Sequence, residues 1–189
     1  MAAPVIVVSG LPRSGTSMAM QMLQAGGVPV LTDQERQADA DNPRGYLELE
    51  RVKQLRTDKS WVADAEGKAV KIIHLLLMEL PTDREYRVLF MRRDLREVVK
   101  SQGTMLERSG KKGAALPAER LMAVYEQQLR TVEAWLAQHP VFKVLDVDHR
   151  AMVTAPQAQV DRVCDFLGMQ LDRAAMVAAV DPSLHRNKA

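Results

Sequence analysis

Residues Val5 to Ser17 read VIVVSGLPRSGTS, in which Gly10 and Gly15 bracket four residues that include Arg13. Glycines at both ends of so short a turn let backbone amides point inward with no Cβ in the way, and such a concavity binds anions. Thr16 to Ala25 has helix-forming composition with Met18, Met22 and Leu23 as its apolar pattern. The amides near Ser14, Gly15, Thr16 and Ser17 therefore lie at a helix N-terminus, whose dipole favours negative charge. The expected guest is a nucleotide phosphate. Arg13 sits inside the turn, where its planar fork can clamp a pair of phosphate or sulfuryl oxygens.

The nucleotide triphosphatase version of such a loop is G-x-x-x-x-G-K-S/T, in which the lysine reaches the outer phosphates and the hydroxyl holds magnesium. Here the glycine spacing is kept, but Thr16 takes the lysine position and the cation has moved to Arg13. PRSGTS resembles the 5′-phosphosulfate loop of the sulfotransferases, which use 3′-phosphoadenosine 5′-phosphosulfate (PAPS). A second signature of that family is an arginine at a strand end followed eight residues later by a serine, the pair that binds the donor's 3′-phosphate. Arg93 and Ser101 have this spacing within YRVLFMRRDLREVVKSQ, which reads as a strand over 86–91 and a helix opening near Asp94. A third similarity covers 141–169, VFKVLDVDHRAMVTAPQAQVDRVCDFLGM, with its strand, acidic turn, proline and amphipathic helix ending in Phe-Leu-Gly. It departs from the family at the turn, where only Asp146, Asp148 and His149 stand.

The resemblance implies transfer of a sulfuryl group from PAPS to a hydroxyl or amine on a small molecule, glycan or peptide, by in-line displacement with no metal and no covalent enzyme intermediate. Gly10, Arg13, Ser14, Gly15, Thr16 and Ser17 would hold the 5′-phosphosulfate, and Arg93 and Ser101 the 3′-phosphate. Arg186 in HRNKA loosely matches the family's C-terminal basic element, and reads equally as part of a frayed cationic tail. Where cytosolic members have an adenine-stacking tryptophan after the loop, this chain has Met18; Trp61 is a substitute, against a reading as core packing.

Three groups compete for the base that would take the acceptor's proton. Glu48, in DNPRGYLELE, follows a proline and glycine turn and would enter a helix near its N-terminus, matching a similar Asn-Pro-x-Gly-Tyr segment in the family. Glu35 lies 22 residues beyond Arg13, close to the spacing of the base glutamate in tyrosylprotein sulfotransferases, within the polar stretch LTDQERQADAD. His74, in VKIIHLLLMELP at a strand's end, resembles the position of the catalytic histidine in cytosolic sulfotransferases. A histidine between Ile73 and Leu75 is also an ordinary core residue.

The elements that must position these groups alternate. Strands are predicted at 4–9, 28–31, 69–73, 86–92 and 141–147, and helical segments at 15–25, 47–57, 75–80, 94–107, 117–138, 156–167 and 172–179. This alternation implies parallel crossovers and an α/β fold, a P-loop-type doubly wound, mainly parallel sheet flanked by helices, with 1–189 as one domain. Of 189 residues, 26 are basic and 24 acidic, so a generally basic protein that coats nucleic acid is excluded and any basic patch is local. Arg13, Arg44, Lys71, Arg92, Arg93 and Arg186 would make that patch. Cys164 is the sole cysteine, which rules out an intrachain disulfide. No apolar run approaches the ~20 residues that span a bilayer, and the expected compartment is the cytoplasm. The rival enzyme reading is a P-loop kinase or nucleotide hydrolase with Asp146 on magnesium. The rival of another class is a non-catalytic module binding PAPS or its desulfated product.

Overall fold

The computed structural model describes residues 3–33, 35, 45–108 and 116–181. Strands β1 (Val5–Gly10), β2 (Ala69–Lys71), β3 (Tyr86–Arg92) and β4 (Phe142–Asp148) form one parallel sheet in the order β2-β1-β3-β4. The helices are α1 (Thr16–Ala25), α2 (Leu95–Arg108), α3 (Ala118–Ala137), α4 (His149–Thr154), α5 (Pro156–Leu167) and α6 (Arg173–Ala179).

The central strands are apolar on both faces because both faces are covered. Every residue of β1 is buried, and in β3 only Arg87 and Arg92 reach partial exposure. The period of two sorts their side chains. Ile6, Val8, Leu89 and Met91 pack against α1, α4, α5 and α6, whereas Val5, Val7, Val88 and Phe90 pack against α3 and three 3₁₀ turns at Glu50–Gln54, Ser60–Ala65 and His74–Glu79. A smaller cluster of Leu11, Val98 and Tyr125 joins the loop after β1 to α2 and α3. Strand β4 is an edge, and it carries Lys143, Asp146 and Asp148 outward, which discourages pairing with another chain.

Helix ends follow local chemistry. After α1 the Gly27 amide returns to the Gln24 carbonyl and the Val28 amide to the Leu23 carbonyl, with Gly27 at φ 92°, a pairing that needs a residue without a Cβ. Helix α5 opens on Pro156, whose missing N–H would have been unpaired there, and closes on Gly168 at φ 65°.

Two predicted elements take other forms. The strand at 28–31 reduces to one parallel bridge, Val30 with Ala69, because Pro29 has no N–H and contributes only its carbonyl, to the Ala69 amide. The helix at 47–57 is a 3₁₀ turn over Glu50–Gln54, and Glu48 stands before it rather than in a first helical turn. Its carbonyl is taken by the Thr32 hydroxyl at 2.7 Å and by the Asp33 amide, a non-local pairing that holds the segment extended.

The chain leaves β1 for β2 on one side and leaves β3 for β4 on the other. The carboxyl ends of β1 and β3 thus flank the point where strand order reverses, the crevice in which open α/β sheets take ligands.

Candidate active site

The Gly10–Gly15 loop occupies that crevice. Gly10 pairs in register with Met91, and a Cβ added to it would lie 2.5 Å from Ser14 Oγ and 2.8 Å from the Met91 carbonyl oxygen. Gly15, at φ 103°, opens α1 without a capping side chain, and a Cβ there would meet His149 Cδ2 at 2.6 Å. The α1 first turn holds no acidic residue, so its amides and dipole are offered to an external anion. Among the described residues, buried Ser14 Oγ has no partner, a hydroxyl available to a phosphate oxygen. Arg13 adopts φ 67°, a conformation that costs energy in a residue with a Cβ and that recurs at functional turns.

The loop and the Arg93/Ser101 pair are brought into direct contact. Arg13 Nε donates to Ser101 Oγ at 3.1 Å, and Arg93 Nη1 donates to the Arg13 carbonyl at 3.1 Å. Arg93 Nε also donates to Glu97 Oε2 at 2.8 Å. Asp94 starts α2 by accepting at Oδ1 from the Arg96 amide at 2.8 Å, which sets Glu97 and Ser101 on the face toward the loop.

Lys71 is a functional candidate whose place only the fold reveals. At the end of β2, its Nζ donates to Ser17 Oγ at 3.1 Å and to the Tyr46 carbonyl at 3.1 Å, and pairs with Glu48 Oε1 at 2.8 Å. An amine from the neighbouring strand thus reaches the first turn of α1, the turn whose own lysine position is Thr16. The segment that presents Glu48 is clamped on both sides. Gln21 Nε2 donates to the Gly45 carbonyl at 2.9 Å, Lys71 and Thr32 hold the Tyr46 and Glu48 carbonyls, and Leu47 between them has φ 49°.

The other candidates lie as follows. His74 is 2% exposed, and its Nε2 meets Gln128 Oε1 of α3 at 2.9 Å. Its burial pulls its pKa below the ordinary histidine value, with the bond to Gln128 opposing in part. Glu35 has an exposed side chain, and its amide donates to Asp33 Oδ1 at 3.1 Å. Arg44 and Arg186 lie outside the described residues. Trp61 is buried in the core beside Val62 and Leu77, which removes it as an adenine platform. The acidic turn is structural: Asp148 caps α4 by accepting from the Ala151 amide, and Asp146 is ion-paired with Arg92 at 2.8 Å on the edge strand. Arg92 also pairs with Glu133 of α3 at 2.6 Å, so it braces the sheet end rather than joining the loop.

The sequence profile of the sulfotransferase family matches residues 47–173, more than half of the chain and inclusive of Glu48, Lys71, His74, Arg93 and Ser101. The chain belongs to the sulfotransferase family. No curated protein matches it. Among solved structures, this chain is similar to the sulfotransferase domain from the curacin biosynthetic pathway, with 14% identity, a TM-score of 0.52, and coverage of 97% of this chain and 89% of that one. It is also similar to the sulfotransferase domain from the Synechococcus PCC 7002 olefin synthase, with 15% identity, a TM-score of 0.53, and coverage of 96% and 86%. The likeness is one of fold, and it extends over the Gly10–Gly15 loop, which precedes the profile match. Among the described residues, no helix is long and apolar enough to cross a membrane.

Two expectations follow. Gly10→Ala, by driving a methyl into Ser14 Oγ and the Met91 carbonyl, is expected to lower the melting temperature by several degrees; an unchanged melting temperature would show that the close approach is dispensable. For His74, the unfolded chain takes up a proton that the folded chain resists. Nothing is lost above the ordinary value of 6.5, and stability declines as pH falls below it. Between about pH 7.5 and about pH 5.5 the melting temperature of the wild type is expected to fall more than that of His74→Asn. Equal falls would contradict the assignment of His74 as buried and neutral.

Proposed function

We propose that this member of the sulfotransferase family moves a sulfuryl group from PAPS to a hydroxyl or amine acceptor. The observation that carries this reading is the joining of two anion-binding elements at one crevice, Arg13 to Ser101 and Arg93 to the Arg13 carbonyl. The groups gathered there suit a donor with phosphates at both ends of its ribose: three cations, Arg13, Arg93 and Lys71, a buried unpartnered Ser14 hydroxyl, and the amides that open α1. When bound, PAPS supplies a sulfuryl group on a phosphate leaving group. Arg13 and Lys71 neutralise the charge that develops on that phosphate, and the Ser14–Ser17 turn fixes it in line.

Glu48 is the base in this reading. Its carboxylate is tied through Lys71 to Ser17, on a segment held by three backbone clamps and containing a left-handed Leu47. A pre-set carboxylate of this kind can accept the acceptor's proton as the new oxygen–sulfur bond forms and the sulfur–phosphate oxygen bond breaks. His74 has its Nε2 engaged by Gln128 and is buried, which favours an orienting role, and Glu35 is turned to solvent.

The test is transfer of labelled sulfuryl from PAPS to a panel of phenol, alcohol, amine and sugar acceptors. Glu48→Gln is expected to lower the transfer rate by ~10²- to 10⁴-fold while bisphosphate affinity changes only a few-fold. Full activity in Glu48→Gln with loss in His74→Asn would move the base to His74. Binding of the bisphosphate with no transfer to any acceptor would favour a non-catalytic module.

A further inference from the structure

An acid stands inside the cationic crevice. Glu97 lies four residues beyond Arg93 and four before Ser101, on the face of α2 that meets the loop. Its carboxylate accepts from Arg93 Nε at 2.8 Å, and both side chains are nearly enclosed, 8% exposed for Arg93 and 10% for Glu97. The same guanidinium donates from Nη1 to the Arg13 carbonyl, so Glu97 sets the orientation with which Arg93 grips the loop. In so enclosed a place a negative charge is poorly screened and reaches any anion that Arg93 binds.

Resting on the reading given under Proposed function, we propose that Glu97 is a positioning residue with a second effect: it limits the crevice's affinity for the 3′-phosphate, so that the desulfated bisphosphate product can leave. The product retains every phosphate that the donor brought. Attraction from Arg93 to the 3′-phosphate is the same before and after transfer, so it adds nothing to the chemical step and slows release. A fixed carboxylate on Arg93 Nε offsets part of that attraction while keeping the guanidinium in place. Oxygen Oε1 of a glutamine at this position could still accept from Arg93 Nε, which separates the charge from the orientation.

The experiment compares wild type, Glu97→Gln and Glu97→Ser for binding of 3′,5′-bisphosphoadenosine and of adenosine 5′-monophosphate without metal, by calorimetry and by stopped-flow dissociation. Melting curves establish that each variant is folded. Glu97→Gln is expected to bind the bisphosphate about fivefold or more tightly, chiefly through slower dissociation, with a steeper salt dependence and little change toward the monophosphate. Glu97→Ser removes the charge and leaves room for a water on Arg93 Nε, so its preference for bisphosphate over monophosphate should shift the same way even if Glu97→Gln does not fold. A wild type that binds the bisphosphate, with neutral variants that bind it equally or more weakly, would make Glu97 a scaffold residue only and overturn the proposal. A wild type that binds no bisphosphate would overturn the donor assignment, and this proposal with it.

Discussion

The close approach of Gly10 to the Met91 carbonyl governs the rest of the molecule's design. Strands β1 and β3 end side by side, and only a residue without a Cβ allows the chain to turn there into the loop rather than away from it. Once that turn is made, α1 begins at Gly15, its amides face the crevice, and Arg13 is placed against α2. Because β1 and β3 feed opposite sides of the sheet, the opening at their ends is left uncovered by either crossover. The candidate site is a product of strand order as much as of the loop's own residues.

Charge in the crevice is distributed over elements that are distant in sequence. Arg13 comes from the loop, Lys71 from the end of β2 and Arg93 from the end of β3, and each is held by a partner of its own: Ser101, Glu48 and Glu97. Pre-orientation of this kind lowers the reorganisation needed when a charged ligand arrives. It also means that loss of one partner is felt at the loop, since Arg93 grips the Arg13 carbonyl and Lys71 grips Ser17.

Much of this was legible in the residues. The apolar runs of β1 and β3 carry no polar alternation because both faces are buried, and their limits coincide closely with the predicted ones. The glycine frame and the Arg93–Ser101 spacing pointed to two anion-binding elements, and the fold puts them in contact. Lys71 is visible in the sequence only as one cation among several, since its role depends on β2 lying next to β1, with Val8 in register with Lys71, and on its contact with Ser17, 54 residues earlier in the chain. The residues around Glu48 predict a helix because they favour one locally; contacts to Thr32 and Asp33 outweigh that preference. Helix α4 has little sequence signal because Asp148, its cap, reads as part of an acidic turn. Glu97 gave no signal beyond its four-residue spacing from Arg93, a spacing that on most helices marks a solvated ion pair.

In the proposed reading, a loop whose cation is Arg13 and whose lysine position is Thr16 takes, at this crevice, a nucleotide with phosphates on both sides of the ribose and needs no metal to do so. Calorimetry of 3′,5′-bisphosphoadenosine without magnesium, beside ATP with magnesium, tests it on wild type, Arg13→Ala and Arg93→Ala. The expected result is micromolar or tighter binding of the bisphosphate, about 10-fold or more weakened in each variant, with ATP·Mg the poorer ligand. Preference for ATP·Mg, or bisphosphate binding indifferent to both arginines, would contradict the claim.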